Sequence, residues 1–166
     1  AASAAAARAA AHVAHIGAVG PDGQWAVERL MEYGVDTRHI LSVSALTGHA
    51  IIAVDAAGEN QILLFPGANR EIHEDQVGRA LSSAAAGDIL VMQNETSAQV
   101  EAARMGQKLG LKVCYAAAPF DADAVMQVLP FLDFLILNQV EAEQLTAATG
   151  LRADQLPVAD VIVTMG

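Results

Sequence analysis

Short apolar runs alternate with segments of helical periodicity along most of the chain. Such runs are typical of buried parallel strands, and the segments between them are typical of crossover helices. The predicted strands are His12–Val19, Asp88–Met92, Lys112–Ala116, Phe134–Leu137 and Asp160–Val163. The predicted helices are Gln24–Tyr33, Glu74–Ala85, Ser97–Leu109, Ala122–Leu132 and Gln139–Thr149. This order predicts an α/β fold with a doubly wound, parallel sheet.

One region breaks the alternation, because two β-type runs follow each other without a helix between them. Thr47–Asp55 and Asn60–Phe65 are joined by the loop 56–59, which predicts a β-hairpin. Within an α/β protein, such a hairpin would cover a ligand as a flap or pair with another subunit, and a plain edge hairpin is the alternative. We expect it to expose apolar residues such as Ile51 and Leu63 on alternate faces.

Residues with capping preferences mark several helix ends. Thr96 and Ser97 are expected to cap the helix that follows them, and Asp121 is expected to cap the next helix. Gly34 and Gly110 are expected to end helices. These residues support the predicted boundaries and carry no functional information by themselves.

Polar side chains follow three of the predicted strands at their carboxyl ends, where open parallel sheets bind ligands. The Glu95 carboxylate could accept hydrogen bonds from ligand hydroxyls or interact with the adjacent helix N-terminus. Asn138 and Glu141 have the spacing of a capping box, and the same pair could hold phosphate and hydrated magnesium at a helix N-terminus. Thr164 follows the last strand. The sequence therefore predicts one ligand site at these strand ends.

Composition supports a layered α/β protein and narrows the choice of partners. Hydrophobic residues make up 54% of the chain but aromatic residues only 4%, so the core must be mainly aliphatic. The formal net charge is −10 and the basic residues are scattered, which argues against nucleic acid as a partner. An anionic nucleotide can still bind where backbone N–H groups and a divalent cation neutralise it locally.

Cysteine usage and hydropathy bear on the compartment. Cys114 is the only cysteine, so an internal disulfide is impossible and a reducing cytoplasm is expected. No uncharged stretch reaches the ~18 residues that a membrane span needs. We therefore predict a cytoplasmic protein without a membrane partner.

The sequence lacks several motifs that mark other enzyme classes. It contains no Cys/His cluster, no Gly-x-Ser-x-Gly elbow and no Gly-x-x-x-x-Gly-Lys phosphate loop. Gly17-x-x-Gly20 is not a dinucleotide-binding fingerprint either. Hydrolases, zinc enzymes and classical NAD-binding proteins are therefore disfavoured.

A series of short motifs extends in order over almost the whole chain. They are Ile16-Gly17-Ala18-Val19-Gly20-Pro21-Asp22-Gly23, Gly34-Val35-Asp36-Thr37, Thr47-Gly48, Gly58-Glu59-Asn60, Pro66-Gly67-Ala68-Asn69, Asn138-x-x-Glu141 with Ala142-Glu143-Gln144-Leu145, and Val163-Thr164-Met165-Gly166. No single motif is very specific, but in this order and spacing they resemble the ribokinase-like, or PfkB, carbohydrate kinases.

This resemblance implies a Rossmann-like, doubly wound and mostly parallel sheet with helices on both faces and a small β-hairpin lid. The lid would comprise residues 45–69 and the core residues 1–44 and 70–166, with a sugar pocket between them. The implied cofactors are ATP and magnesium.

The resemblance also assigns residues to each ligand. The substrate-binding positions are Ala50, Ile52 and Leu64 in the lid and the carboxylate of Glu95. The ATP-binding positions are Asn138, Thr164 and Gly166, and the magnesium-binding position is Glu141.

The sequence departs from the family pattern at three places. Ala116–Pro119 reads Ala-Ala-Ala-Pro where the family usually has Asn-Pro-Ala-Pro. The upstream sugar-binding Asp segment and the downstream Gly-Ala-Gly-Asp motif with the catalytic base are both absent. The fold is thus expected to be incomplete at both ends, as in a fragment or the ordered part of a longer polypeptide. No catalytic residue is assigned to this chain, and we expect the 166 residues alone to have negligible turnover.

The resulting hypothesis is an ATP-dependent kinase that transfers the γ-phosphoryl group to a hydroxyl of ribose or a related furanose. Fructose, ketodeoxygluconate and nucleoside kinases share much of this framework, so the substrate stays open. One alternative is a non-catalytic homologue that binds a sugar or a protein through the lid. Another is an unrelated nucleotide-binding module, which would need a glycine-rich loop after the first strand. A homodimer through the lid is also expected.

Overall fold

The computed structural model describes residues 2–56, 58 and 60–165. The chain folds into two compact units, Ala1–Gln76 and Val77–Gly166. The helices are α1 (Ala2–Arg8), α2 (Gln24–Glu32), α3 (Glu74–Leu81), α4 (Gln99–Lys108), α5 (Ala122–Val128) and α6 (Gln139–Thr149). The strands are β1 (Ala14–Val19), β2 (Asp36–Ser42), β3 (His49–Val54), β4 (Asn60–Phe65), β5 (Ile89–Gln93), β6 (Lys112–Ala116), β7 (Phe134–Asn138) and β8 (Asp160–Thr164). Short 3₁₀ turns cover Gly67–Arg70, Leu129–Phe131 and Ala153–Gln155.

In the first unit, β1 and β2 pair in parallel and α2 connects them. Gly34 has a φ of 80° just after α2, a left-handed conformation that glycine adopts easily, and this confirms it as the helix stop. Strand β2 was missed in the sequence because it opens with the polar residues Asp36, Thr37 and Arg38. A polar start of this kind has the composition of a loop.

A buried glutamine fastens β1 to β2. Gln76 is 3% exposed, and its Nε2 donates hydrogen bonds to the carbonyl oxygens of Gly17 (2.8 Å) and His39 (3.0 Å). These bonds satisfy one donor group of a polar side chain that would otherwise be costly to bury.

The predicted hairpin is confirmed: β3 and β4 pair as antiparallel strands. Ile51 lies directly opposite Leu63, and directly opposite residues of an antiparallel pair share one face. The expectation that these two residues lie on alternate faces was therefore wrong. The error arose because the register of the hairpin depends on its loop, which the sequence pattern did not resolve.

The second unit contains a four-stranded sheet in the order β5-β6-β7-β8, and all its strands are parallel. Parallel crossovers are right-handed, so sequential strand order places α4, α5 and α6 on the same face, where α5 contacts both of the others. This arrangement confirms the α/β fold with a parallel sheet.

The two faces of this sheet differ in burial. Alternate residues under the helices are fully buried, including Val113, Tyr115, Leu135 and Leu137. The opposite face carries apolar side chains that are exposed, among them Ile89 at 67%, Val91 at 57% and Ile162 at 47%. The hydrophobic core of this unit therefore lies between the sheet and α4–α6.

The helix ends predicted from capping residues agree only in part with the structure. Asp121 accepts a hydrogen bond from the N–H of Ala124 at 3.0 Å and caps α5, and Gly110 (φ 77°) follows the end of α4, as predicted. The prediction that Thr96 or Ser97 caps the next helix was wrong, because α4 begins at Gln99 after Ala98. Those two residues belong instead to the turn that precedes α4.

Among the residues that the structure describes, no helix is long and apolar enough to cross a membrane.

Candidate functional site

The carboxyl ends of β5 to β8 lie along one rim of the parallel sheet. Gln93 is paired with Ala116, and Asn138 is paired with Thr164, so adjacent strands end nearly level. We call this edge the carboxyl rim, comprising residues 93–95, 116–118, 138–141 and 164–165. Ligands of open parallel sheets bind at such an edge.

Asn138 and Glu141 form a capping box at the start of α6. Asn138 Oδ1 accepts a hydrogen bond from the N–H of Glu141 at 2.8 Å, and Glu141 Oε2 accepts one from the N–H of Asn138 at 2.7 Å. The structure therefore confirms that this pair caps α6, as its spacing in the sequence indicated. Both side chains are held in place, and the role of the pair in phosphate and magnesium binding stays a prediction.

This cap leaves binding capacity at the helix N-terminus. A carboxylate can accept about four hydrogen bonds or metal contacts, and the cap uses one of them. The N-terminus of an 11-residue helix also favours anions through its free N–H groups and its dipole. A phosphate group and a hydrated cation are the kinds of ligand that such an arrangement favours.

Thr164 lies next to this cap, at the end of β8. Its Cα is the register partner of Asn138, and its Oγ1 donates a long hydrogen bond of 3.5 Å to the carbonyl oxygen of Leu137. The structure thus brings together Asn138, Glu141 and Thr164. Gly166, the remaining predicted ATP contact, lies outside the described residues.

Glu95 stands at the other end of the carboxyl rim, in the turn between β5 and α4. Glu95 follows β5 and Thr164 ends β8, and these two outer strands are three strand spacings of about 4.8 Å apart, or roughly 14 Å. The Glu95 side chain is exposed. The rim therefore offers two separate positions, one with Glu95 and one with the capped helix.

The three predicted lid contacts share one face of the hairpin. Ala50 is paired with Leu64, and Ile52 is paired with Ile62, so all four side chains point to the same side. Ile52 is 59% and Leu64 is 53% exposed. This face offers an apolar surface to a ligand, and its contact with a sugar stays a prediction.

Sequence reasoning missed a hydrogen-bond network at the base of the hairpin. Asp22 Oδ1 accepts from the N–H and the Oγ1 of Thr47, each at 2.9 Å, and Thr47 Oγ1 accepts from the N–H of Gly20 at 3.0 Å. These hydrogen bonds, first that from the Thr47 backbone, lower the pKa of Asp22 below its ordinary value. One signal in the sequence could have indicated this network, because all three residues belong to the short motifs that resemble the PfkB family.

Close backbone approaches reinforce this base. A Cβ atom at Gly23 would overlap Thr47 Oγ1, and one at Gly67 would overlap the carbonyl oxygen of Leu46. The N–H of Ala68 donates a hydrogen bond of 2.8 Å to that same carbonyl. Glycine is thus required where the two ends of the hairpin meet the loop after β1.

No group of three or more His, Cys, Asp or Glu side chains within residues 2–56, 58 and 60–165 is arranged to hold a metal ion. Magnesium usually keeps several water ligands and takes one or two carboxylates together with substrate phosphates. A single carboxylate, Glu141, beside an anion-favouring helix N-terminus fits that mode of binding.

Comparison with known proteins shows similarity to carbohydrate kinases. A family model described as pfkB family carbohydrate kinase matches residues 2–166. The ribokinase of Haemophilus influenzae is 38% identical over 133 residues, which cover 77% of this chain and 43% of the relative.

Two solved structures extend the likeness to the fold. The ribokinase of Cryptococcus neoformans in complex with ADP superimposes with a TM-score of 0.74 and 31% identity, covering 93% of this chain and 50% of that one. The ribokinase of Arabidopsis thaliana complexed with ribose and ATP gives a TM-score of 0.72 and 25% identity, covering 87% and 49%. The chain spans about half the length of the relatives that it matches.

Proposed function

Because the chain belongs to the pfkB family of carbohydrate kinases, we propose that the protein transfers the γ-phosphoryl group of Mg-ATP to a hydroxyl of ribose or a related furanose. The observation that carries this proposal is the capped N-terminus of α6 with Thr164 beside it. Phosphoryl transfer depends mainly on positioning and charge neutralisation, and this part of the rim provides the means for both.

On the nucleotide side, Asn138 and the first N–H groups of α6 would orient phosphate oxygens. Glu141 would hold hydrated magnesium, which supplies positive charge to the transferring group. Thr164 would contact the same phosphates from the adjacent strand. This local arrangement offsets the overall charge of −10, which would otherwise repel ATP.

On the sugar side, the Glu95 carboxylate would accept hydrogen bonds from sugar hydroxyls, and the Ala50–Ile52–Leu64 face would pack against the ring. A carboxylate and an apolar surface are complementary to the polar edge and the flatter face of a furanose. The proton acceptor is not assigned to any residue of this chain, which contains no Gly-x-Gly-Asp segment. The residues of this chain thus bind and orient the two substrates.

The test is sugar-dependent ADP formation by the complete polypeptide that carries this chain, with a panel of ribose, deoxyribose and fructose. We expect turnover with ribose or deoxyribose, a raised sugar KM in Glu95→Ala, and negligible turnover by the 166 residues alone. An unchanged sugar KM in Glu95→Ala would remove Glu95 from the site. Sugar binding without ADP formation would favour the non-catalytic homologue instead.

The second face of the hairpin supports a further proposal, that two copies pair through their lids. Ile51 and Leu63 lie opposite each other on this face and are 59% and 57% exposed. Exposed apolar strands of this kind commonly pair with another chain. Ile51→Ser should shift the protein towards monomer in light scattering, whereas Ile52→Ser on the opposite face should raise the sugar KM.

A single cysteine, Cys114, fits a reducing compartment, and we place the protein in the cytoplasm on that ground. Fractionation of the source cells would test this placement.

A further inference from the structure

The turn between β5 and α4 carries Glu95 on its surface and is anchored on both sides. It comprises residues 94–98, between Gln93 at the end of β5 and Gln99 at the start of α4. Because the Glu95 carboxylate is exposed, its position depends on the backbone that carries it. The residues that fix this backbone therefore decide where the carboxylate lies.

Asn94, directly before Glu95, ties the turn to the loop after β6. Its backbone N–H donates to the carbonyl oxygen of Ala118 at 3.1 Å, and its Nδ2 donates to the carbonyl oxygen of Pro119 at 2.9 Å. The side chains of Ala116, Ala117, Ala118 and Pro119 have no hydrogen-bonding groups of their own. Asn94 thus supplies a polar side chain that this loop lacks.

Gln99 closes the turn from the helix side. Its Nε2 donates to the carbonyl oxygen of Gln93 and to Thr96 Oγ1 at 2.8 Å, with a longer contact of 3.3 Å to the Thr96 carbonyl oxygen. Ala98 completes the turn in a left-handed conformation with a φ of 58°. Alanine rarely adopts this conformation, so the surrounding contacts must maintain it.

We propose that Asn94 is a positioning residue that sets the place of the Glu95 carboxylate through its hydrogen bond to the Pro119 carbonyl. The inference rests on the proposed function, in which Glu95 binds the sugar. Gln99 holds the other side of the turn, so loss of the Asn94 bond loosens only the side facing the loop after β6. The effect should fall on sugar affinity and leave the nucleotide position at β7 and β8 unchanged.

The test uses steady-state kinetics of the complete polypeptide with Asn94→Leu, which keeps the size of the side chain and removes its donor. We expect the sugar KM to rise about fivefold, the effect of one lost hydrogen bond, with the ATP KM unchanged. Asn94→Asp also lacks the donor but remains polar, so it serves as a second variant if the leucine variant folds poorly. Both should move the sugar KM in the same direction.

Gln107 offers a matched control within the same unit. Its Nε2 donates to the carbonyl oxygen of Pro130 at 3.1 Å, a bond of the same type on a proline carbonyl away from the rim. Gln107→Met should leave the sugar KM at the wild-type value. An equal rise of the sugar KM in Gln107→Met would mean that general loosening of the unit causes the effect, and would overturn the proposal.

A double-mutant cycle separates positioning from general stability. If Asn94 acts through Glu95, Asn94→Leu should add little to the sugar KM of Glu95→Ala, because the group that it positions is already gone. If the effects of Asn94→Leu and Glu95→Ala on the sugar KM are additive, or if both Asn94 variants leave the sugar KM unchanged, the inference is overturned. The proposed kinase function would not be affected by either result. A wild-type protein without ADP formation on any sugar would overturn the proposed function and this inference with it.

Discussion

Tyr115 places a hydroxyl group in the core of the four-stranded sheet, where no partner bonds to it among the residues that the structure describes. Burial, with a smaller effect of the Asp121 charge, raises the pKa of Tyr115 to about 12. A buried hydroxyl without a partner costs free energy that a phenyl ring of the same shape does not.

Tyr115→Phe should therefore increase the free energy of unfolding, by about 1 kcal/mol, because the orphan hydroxyl disappears and the ring packing stays. Tyr115→Leu should decrease it, because the smaller side chain leaves a cavity. Denaturation by urea measures both. A less stable phenylalanine variant would show that the hydroxyl has a partner, such as a buried water.

The lowered pKa of Asp22 makes the base of the hairpin sensitive to acid. The folded-state pKa lies below the ordinary value of 3.8, so the charged carboxylate stabilises the fold above that pH. The stabilisation should be lost as the pH falls below 3.8 through the lower folded value.

Amide hydrogen exchange of β3 and β4, measured from neutral pH down to pH 3, checks this prediction. Asp22→Ala should weaken protection already at neutral pH and remove the acid-dependent part. Thr47→Val, which keeps the backbone donor and loses Oγ1, should have an intermediate effect. Identical acid profiles for wild type and Asp22→Ala would contradict the role of this carboxylate.

At the scale of the elements, the residues that cap α6 are also the residues proposed to bind Mg-ATP. Two substitutions separate the capping role from the binding role. Asn138→Ala should destabilise the fold by about 1 kcal/mol, the usual cost of losing an N-cap. Glu141→Gln keeps an oxygen that can accept the bond from Asn138 but loses the charge that attracts magnesium. It should retain most of the stability and weaken Mg-ATP binding.

Thermal unfolding and calorimetric titration of the complete polypeptide with Mg-ATP measure the two effects separately. If Glu141→Gln binds Mg-ATP as tightly as wild type, Glu141 acts only as a cap.

At the element scale, what the sequence predicted depends on the range of the interactions. The Asn138–Glu141 box was predicted because its partners are three residues apart, and the strands of the second unit were predicted because each is a continuous apolar run. Strand β2 was not predicted, because its polar start gives no apolar pattern. The start of α4 was not predicted either, because the left-handed conformation of Ala98 leaves no periodic signal in the sequence.

The sequence predicted that Asn138, Glu141 and Thr164 lie together at strand ends, but it missed the contacts between residues that are far apart in the chain. Asp22 and Thr47 are 25 residues apart, and Asn94 and Pro119 are also 25 apart. No local pattern links such pairs, since the tertiary fold alone brings them together.

For the whole molecule, the face of the four-stranded sheet opposite α4–α6 dominates the expected tendency to associate. Ile89, Val91 and Ile162 point away from α4–α6, and Val91 is paired with Cys114 on that face. Exposed apolar patches of this kind mark binding surfaces or promote association.

The 166-residue chain should therefore bind a hydrophobic dye and self-associate, as measured by fluorescence and light scattering. The double variant Val91→Thr and Ile162→Thr should reduce both signals, because it keeps β-branched side chains in the strands and makes the surface more polar. Leu46→Thr, also exposed but in the first unit, is the control and should change neither signal much. Equal dye binding by wild type and the double variant would contradict the assignment.

The strand order of the second unit also bears on how the protein is made. Because β5, β6, β7 and β8 are neighbours in both sequence and space, each new strand can join an edge formed just before it as the chain leaves the ribosome. These four strands can thus pair with one another in the order in which they are synthesised.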